Sequence, residues 1–380
     1  MRVNELPTPV YIVYEDKLRR NLDLIADVQR RSGAKIIMAF KANALWRTFP
    51  IFKEYGVGFT ASSLNELRLG REYLSDDAHS YCPAYTDATI GEYMRLSTHL
   101  TFNSLHQWER FAHLWHSGAD SLPSPGLRVN PKCSVIETDI YNPALPGSRF
   151  GVSAEDIGDR LPDGIEGLHF HALCESSSYD LERVLAAFEA QFGHFLPQVK
   201  WVNMGGGHLM TREGYDIEHL IGLLRGFRER YPWLEVILEP GSAFCWRTGD
   251  LHTSVVDVME NDGIRTAIID ASFACHMPDT LEMPYQPIIT EAVDASAHGA
   301  IPYRLGGNSC LSGDFVGDWH FDHALKAGDR LTLEDMNHYT TVKTTMFNGL
   351  QHPDIAICHS DGTCEYLRRF TYDDYKSRMS

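Results

Sequence analysis

Short apolar runs alternate with helix-like segments through the first two thirds of the chain. Residues 36–40 are five apolar residues without Gly or Pro, which predicts a strand buried on both faces. Seven further apolar runs follow, and the segments between them have apolar residues at helical spacing. The eight predicted strands are residues 36–40, 57–62, 79–85, 99–103, 126–130, 167–173, 201–207 and 235–241.

Eight strands alternating with helices predict an α/β fold, a (β/α)8 TIM-type barrel, because parallel strands need crossover helices. A doubly wound open sheet is the structural alternative, since the same alternation fits both. The predicted barrel domain covers residues 10–243. After residue 244, strand-like runs are joined by loops with few helical periods, which predicts a mostly antiparallel β domain formed by 244–380 with 1–9.

Composition narrows the kind of partner. The 380 residues carry a formal net charge of −17, which argues against a nucleic-acid partner and suits a cationic small-molecule substrate. No stretch is apolar and long enough to predict a membrane span, and the N-terminus lacks a signal-peptide core. The eight cysteines are scattered without a CxxC motif, which favours reduced thiols and a cytoplasmic location.

Polar residues stand where the predicted strands end, and barrel enzymes carry their chemistry at those ends. Lys41 follows the first strand, and one reading is that it marks the strand leaving the core. The other reading is a Schiff-base lysine whose pKa is lowered by desolvation. The remaining strand-end residues favour the second reading, and they are Ser62, Ser63, Tyr85, Asn103, Arg128, His171, Gly205–Gly207 and Glu239.

Three of these strand ends suggest a role around one cofactor. Gly205–Gly207 leaves backbone N–H groups open to a phosphate. Glu239 ends an apolar strand, where a protonated ring nitrogen or a neighbouring Arg128 is its natural partner. His169 and His171 share a face, and a ring stacked on a cofactor fits them better than a metal site, because no ligand-like cluster accompanies them. No metal is therefore predicted.

Motifs in matching order along nearly the whole chain resemble those of the fold-type III pyridoxal-phosphate decarboxylases, the alanine racemase-like barrel family. Within it the chain is most similar to the carboxynorspermidine/carboxyspermidine decarboxylases. The most diagnostic run for that subfamily is CHMPDTLEMPY at residues 275–285. The other matching segments are residues 39–41, 61–70, 146–151, 170–175, 205–207, 239–241, 309–314 and 339–349.

The resemblance implies a pyridoxal 5'-phosphate (PLP) carboxy-lyase of polyamine biosynthesis, which forms norspermidine or spermidine by removing carbon dioxide. It implies that Lys41 forms a Schiff base with PLP, that His171 stacks on the ring and that Glu239 pairs with the ring nitrogen. The implied cofactor-binding residues are Lys41, Arg128, His171, Gly205, Gly206, Gly207, Glu239 and Tyr339.

The resemblance also implies a homodimer with shared active sites, to which the β domain contributes. Cys310 and Asp314 are expected to reach the site from the second subunit, with Cys310 as the proton donor. The implied catalytic residues are Lys41, His171, Glu239 and Cys310. The implied substrate-binding residues are Glu175, Ser242, Asp279, Glu282, Cys310 and Asp314.

Two positions depart from the closest subfamily. Residues 42–44 read Ala-Asn-Ala where a Cys- or Ser-containing run is usual, and Ser242 stands where a second glutamate is usual. A decarboxylase for a related amino acid with an aminoalkyl tail is therefore an alternative. A racemase on the same fold and a non-catalytic PLP carrier are the others. Cys310 opposite Lys41 favours decarboxylation over racemisation, and a carrier has no use for Cys310 or Asp314.

Overall fold

Parallel strands close into a barrel within the unit Asn21–Phe244 of the computed structural model, which describes residues 1–116, 121–136 and 138–380. The first strand is split at Ile37, and its two halves pair with the last and second strands of the barrel. The (β/α)8 barrel is thus confirmed, and the open sheet is excluded. The strand segments are Lys35–Ile36, Met38–Ala39, Phe59–Ala61, Ala78–Tyr81, His99–Phe102, Ser124–Arg128, Gly167–His169, Trp201–Asn203 and Glu235–Leu238.

Several strands end earlier than their apolar runs predicted. The third predicted strand was expected to end at Tyr85, but it ends at Tyr81. Tyr85 is buried, and its hydroxyl donates to the carbonyls of Ser80 and Thr101 at 3.3 and 3.0 Å, so it is a core residue. Apolar loop residues that pack over a barrel strand extend the apolar pattern beyond the hydrogen-bonded strand.

Helices cover the outside of the barrel strands and begin at recognisable caps. Ser63, Ser104 and Ser177 each accept a hydrogen bond from the backbone N–H three residues later. Aromatic side chains fill the layer between helices and strands, as where Phe40 lies 4.7 Å from Phe59 between ring centroids. The helices from Glu15 to Cys245 are Glu15–Ser32, Phe49–Glu54, Leu64–Tyr73, Ile90–Leu96, Leu105–Phe111, Ala154–Ile157, Ser178–Phe192, Ile217–Arg230 and Ser242–Cys245.

The second unit joins Met1–Arg20 to Cys245–Ser380 around a mostly antiparallel sheet. The predicted boundary at residue 10 is corrected here, because Val10–Tyr14 pairs with Gly249–Asn261 and Asp354–Cys358. Its other strands are Ile264–Ile269, Ile301–Gly306, Asp318–Phe321, Arg330–Leu333 and Cys364–Arg368, and its helices are Phe273–His276, Asp279–Glu282 and Tyr372–Met379.

Two cysteines differ from the prediction of reduced thiols. Cys358 and Cys364 face each other across a hairpin and form a disulfide. The turn between them places two positions six residues apart side by side, which spacing alone does not predict. The other six cysteines form no disulfide within the described ranges. In the described part of the chain, every helix is too short or too polar to cross a membrane.

Candidate active site

Five strand ends meet at the carboxyl edge of the barrel and bring the predicted barrel residues together. Arg128 is the last residue of its strand, and it lies in register with His169 of the next. His169 in turn pairs with Asn203, and Asn203 with Ile237, two residues before Glu239. Parallel register therefore places a cation, imidazoles and a carboxylate on neighbouring strands at one edge.

Glu239 is held on both carboxylate oxygens. Oε1 lies 3.0 Å from His169 Nε2, and Oε2 accepts a hydrogen bond of 3.0 Å from the Asn203 amide. Burial alone would raise the pKa of Glu239, but the His169 and Asn203 contacts outweigh it and hold the pKa below its ordinary value. Burial lowers the pKa of His169. The pair is therefore a carboxylate beside a neutral imidazole near neutral pH.

Lys41 lies two residues after the strand half Met38–Ala39, at the carboxyl edge of the barrel. Its side chain can be reached by water, yet protein surrounds it closely enough that desolvation lowers its pKa. The charge of Glu239 opposes this shift and that of Arg128 adds to it. Lys41 forms no ion pair with any described residue. A desolvated lysine without a counter-ion has a larger neutral, nucleophilic fraction than a surface lysine.

Arg128 is buried between two aromatic rings. Its guanidinium carbon lies 4.6 Å from the ring centroid of Tyr81 and 4.5 Å from that of Phe150. Its Nη2 donates to the carbonyl of His171 at 3.3 Å. Cation–π contacts with two rings hold the guanidinium in place, and no carboxylate among the described residues forms an ion pair with it. Tyr81 and Phe150 were missed from the sequence, because neither stands at an end of a predicted strand.

His171 is oriented by the glycine loop. The backbone N–H of Gly206 donates to His171 Nδ1 at 2.8 Å, so a neutral ring carries its proton on Nε2. Burial, followed by the charges of Lys41 and Arg128, lowers the pKa of His171 well below its ordinary value. The predicted flat ring at the barrel mouth is thus a neutral imidazole with a fixed tautomer.

The three glycines do not serve equally as open donors. The N–H of Gly205 donates to Asn203 Oδ1 at 2.8 Å, and that of Gly206 is used by His171. The N–H of Gly207 has no acceptor among the described residues. Of the three glycines, Gly207 is therefore the one whose N–H can bind a phosphate. Gly207 has φ +88°, and a Cβ there would lie 2.3 Å from the carbonyl carbon of Leu173.

Glu175 and Ser242 form a polar pair in the barrel unit. The Ser242 hydroxyl donates to Glu175 Oε1 at 3.0 Å, and Glu175 has φ +47°. A single carboxylate with a hydroxyl partner therefore occupies the position where the sequence departs from the subfamily pattern.

Glu66 is a further carboxylate near Lys41 that the sequence analysis did not single out. Burial raises its pKa, and its interaction with the charge of Lys41 opposes that shift.

The second unit places its predicted residues in a separate set of contacts. Cys310 is exposed, and its backbone N–H donates to Asn348 Oδ1 at 2.7 Å. Asp314 is buried and accepts hydrogen bonds from the Ser272 hydroxyl at 2.8 Å and the Ser309 hydroxyl at 2.6 Å. It also accepts from two backbone N–H groups. Asp314 thus organises the loop that carries Cys310, and its substrate contact stays a prediction.

Asp279 and Glu282 were predicted to bind a substrate cation. Both form ion pairs with the Lys343 ammonium, which raises the pKa of Lys343 despite its partial burial. An internal cation already neutralises much of the charge of these two carboxylates. Tyr339, the predicted phosphate ligand, is half-buried with φ +49°. The substrate and phosphate roles of these residues stay predictions.

A metal-capable group lies at the amino ends of the barrel strands. Ligand atoms of Asp77, His79 and His99 lie within 4.8 Å of one another. However, Lys35 Nζ lies 2.8 Å from Asp77 Oδ1, and the two imidazole rings stack with centroids 4.1 Å apart. Stacked rings direct their nitrogen lone pairs side by side rather than toward one centre. The group is best described as an ion pair beside a histidine stack.

Comparisons with known proteins agree with this geometry. The family model described as "Pyridoxal-dependent decarboxylase, C-terminal sheet domain" matches residues 12–337. Carboxyaminopropylagmatine decarboxylase of Synechocystis sp. is 44% identical over 100% of this chain and 97% of the relative. Carboxynorspermidine/carboxyspermidine decarboxylase of Campylobacter jejuni is 41% identical over 100% of both chains.

Solved structures extend the agreement to the fold. The crystal structure of carboxynorspermidine decarboxylase from C. jejuni, complexed with norspermidine, has a TM-score of 0.89 at 41% identity. It covers 98% of this chain and 100% of that chain. A diaminopimelate decarboxylase has a TM-score of 0.83 at 20% identity, covering 99% of this chain and 94% of that chain, which shows the shared fold.

The residues present fit PLP, the cofactor of the matching family. Lys41 offers a desolvated amine that has no ion-pair partner in the part of the chain that the structure describes, and Glu239 offers an ionised carboxylate for a protonated ring nitrogen. The open Gly207 N–H lies in backbone packed so closely that a Cβ would clash, which suits a phosphate group. The donor set therefore matches the aldehyde, ring nitrogen and phosphate of PLP.

Proposed function

The chain belongs to the pyridoxal-dependent decarboxylase family, and from this premise we propose that it decarboxylates carboxynorspermidine or carboxyspermidine. Full-length identity of 36–44% to three curated decarboxylases supports a substrate with a carboxylated aminopropyl head and a cationic tail. The net charge of −17 agrees with a cationic substrate. We place this reaction in polyamine biosynthesis in the cytoplasm.

The observation that carries the proposal is a contrast at one barrel edge: Lys41 has no ion-pair partner among the described residues, whereas Glu239 is contacted by Asn203 and His169. When bound, PLP supplies the electron sink for the charge left by loss of carbon dioxide. Lys41 provides the neutral amine that attaches the cofactor. Glu239 holds a proton on the ring nitrogen, because its carboxylate stays ionised.

His171 and Arg128 shape the site around the ring. The His171 imidazole is neutral and fixed by Gly206, so it presents a flat face without adding a positive charge. Arg128 contributes a fixed positive charge, and desolvation of Lys41 together with that charge lowers the pKa of Lys41 and favours its neutral amine. Gly207 provides a backbone donor for the phosphate group, with Tyr339 as its second ligand.

We also propose that the active enzyme is a homodimer in which a second copy supplies Cys310 as the proton donor after decarboxylation. The exposed position of Cys310 on its loop supports a role outside its own unit. Cys310→Ser should slow turnover roughly 100-fold and leave PLP binding unchanged, because a hydroxyl is a much weaker acid than a thiol. Cys133→Ser is the matched control, and full activity of Cys310→Ser would remove Cys310 as the donor.

Glu175 and Ser242 favour a second candidate substrate, carboxyaminopropylagmatine, on which the 44% identical relative is named to act. An agmatine tail ends in a guanidinium, whose planar fork of donors suits one carboxylate and a neighbouring hydroxyl oxygen. A polyamine tail ends in an ammonium, a point charge that gains more from a second carboxylate. The Glu175–Ser242 pair therefore favours a substrate tail that ends in a guanidinium over one that ends in an ammonium.

A carbon-dioxide release assay tests the activity and the tail together. Purified enzyme loaded with PLP is given carboxynorspermidine, carboxyspermidine, carboxyaminopropylagmatine, diaminopimelate, ornithine and arginine, and kcat/KM is compared. We expect at least a 100-fold preference for one of the first three. Preference for diaminopimelate, ornithine or arginine would contradict the proposed substrate class. Epimerised substrate without carbon-dioxide release would replace the decarboxylase with the racemase alternative.

A further inference from the structure

His169 lies beneath the charged centre of the site and has no role in the mechanism above. It is the last residue of the strand Gly167–His169, and only 1% of its surface is exposed. Its Nε2 lies 3.0 Å from Glu239 Oε1. The Nε2–H is not aligned for a hydrogen bond in this conformation, and neither ring nitrogen has a hydrogen-bond partner among the described residues, so the Glu239 carboxylate is the acceptor within reach of this buried imidazole.

Glu239 is braced from two neighbouring strands at once. Asn203 donates to Oε2, while His169 meets Oε1, and these two residues are register partners. The Tyr81 ring packs edge-on against His169 with centroids 5.4 Å apart, which restricts rotation of the imidazole. One hydrogen bond and one close polar contact therefore limit the orientation of the carboxylate and leave it lone pairs for another donor.

The surrounding charges select a neutral His169. Burial lowers its pKa, Glu239 opposes that shift, and the positive charge of Arg128 adds to it. A neutral imidazole that donates to Oε1 carries its proton on Nε2. The contact then adds a donor to the carboxylate without adding a charge that competes with a protonated ring nitrogen.

We propose that His169 is a positioning residue that orients the Glu239 carboxylate toward the ring nitrogen of PLP. This rests on the proposed role of Glu239. The same site therefore uses its two histidines differently: His171 presents a face at the mouth, and His169 supports the carboxylate from below. A histidine that only filled space would be replaced by an apolar ring without effect on PLP.

A double-mutant cycle separates these readings. Full-length apoenzyme is titrated with PLP, and the dissociation constant is measured from the visible absorbance of the bound cofactor. We expect His169→Phe to weaken PLP binding roughly tenfold in the wild-type background, because a hydrogen bond to a charged group is lost. We expect no further loss when His169→Phe is added to Glu239→Gln, since the two residues act as one unit.

Two smaller substitutions keep the test usable if the phenylalanine variant does not fold. His169→Gln retains an amide N–H that can reach Glu239, and it should bind PLP within about threefold of wild type. His169→Asn is one methylene shorter, cannot reach, and should resemble His169→Phe. Circular dichroism and the melting temperature confirm folding of each variant.

Additive losses in the cycle would overturn the proposal, because they show that His169 acts independently of Glu239. Equal PLP binding by His169→Asn and wild type would overturn it as well. Failure of the underlying role of Glu239 is distinguishable: Glu239→Gln alone would then bind PLP as tightly as wild type and retain full carbon-dioxide release.

Discussion

Two lysines six residues apart show what separates the two ends of the barrel. Lys35 lies at the amino end of the first strand, where its Nζ is 2.8 Å from Asp77 and 3.6 Å from Glu235. Lys41 lies beyond the carboxyl end of the same split strand and forms no ion pair within the described ranges. Burial lowers the pKa of Lys41. One lysine is paired with carboxylates, and the other has a lowered pKa and the proposed role of attaching PLP.

The same contrast extends to the carboxylates and histidines at each end. At the amino end, charges pair with each other and His79 stacks on His99. At the carboxyl end, Glu239 is held by uncharged donors, and Arg128 by aromatic rings. Paired charges neutralise each other, whereas charges held without counter-ions remain available to a ligand. In (β/α)8 barrels generally, catalytic residues lie at the carboxyl ends of the strands, and residues at the amino ends serve stability.

Replacing Lys41 or Lys35 by alanine should give the largest difference in activity between the two ends of the barrel. Lys41→Ala should abolish the visible absorbance of attached PLP and reduce carbon-dioxide release by roughly 1,000-fold or more, because the nucleophilic amine is gone. Lys35→Ala should retain both within about threefold. It should cost less than about 1 kcal/mol of unfolding free energy, since its ion pairs are partly exposed. A Lys41→Ala enzyme with an unchanged spectrum would rule Lys41 out as the anchor.

The two glutamates at the barrel ends provide the next largest difference. Glu239→Gln should lower kcat roughly 100-fold, because a neutral amide cannot stabilise a protonated ring nitrogen. Glu235→Gln changes a half-exposed partner of Lys35 and should leave kcat unchanged. Steady-state kinetics on both variants decides the point. Equal effects of the two substitutions would mean that position along the barrel does not determine function.

Glycines at the two ends should fail in different ways. Gly207→Ala forces a Cβ to 2.3 Å from Leu173 backbone at φ +88°, so PLP binding should weaken roughly tenfold. Gly167→Ala places a Cβ 1.9 Å from the Trp201 ring, which should cost about 1–3 kcal/mol of stability by overpacking. PLP affinity of the folded Gly167→Ala protein should be close to wild type. A normal PLP dissociation constant for Gly207→Ala would exclude it as a phosphate donor.

The smallest effect concerns pH and His99 at the amino end. Burial lowers the pKa of His99 to about 3, whereas the unfolded histidine titrates near 6.5. Between these values the unfolded chain binds more protons, so stability falls as pH falls from 6.5 toward 3. His99→Gln should reduce this loss by up to about 1.4 kcal/mol per pH unit, measured by urea unfolding between pH 6.5 and 5. Identical slopes in both proteins would contradict the burial argument.

Much of the barrel could be predicted because its apolar runs and strand-end residues occur in chain order. The strand-end positions of Lys41, Arg128, His171 and Glu239 follow from this order, and their roles stay predictions. Tyr81 and Asn203 were not found in this way, because one precedes an apolar loop and the other is an interior strand position. Their contacts depend on register between neighbouring strands, which sequence spacing does not specify.

Pairings across long sequence separations were the hardest features to predict. The ion pairs of Lys343 with Asp279 and Glu282 join residues more than 60 positions apart. The N-terminal strand, Val10–Tyr14, belongs to the second unit, where it pairs with strands near residues 250 and 355. A five-residue apolar strand carries no local signal of which sheet it enters, so its domain could not be assigned from pattern alone.

The central claim is that Lys41, and not Lys35 or another lysine, attaches PLP. Holoenzyme is treated with sodium borohydride, digested and examined by mass spectrometry for a peptide that carries the reduced cofactor. We predict that the pyridoxyl-phosphate mass is found on Lys41 alone. Its presence on Lys35 or a different lysine, or the absence of any labelled lysine in an active preparation, would contradict the account.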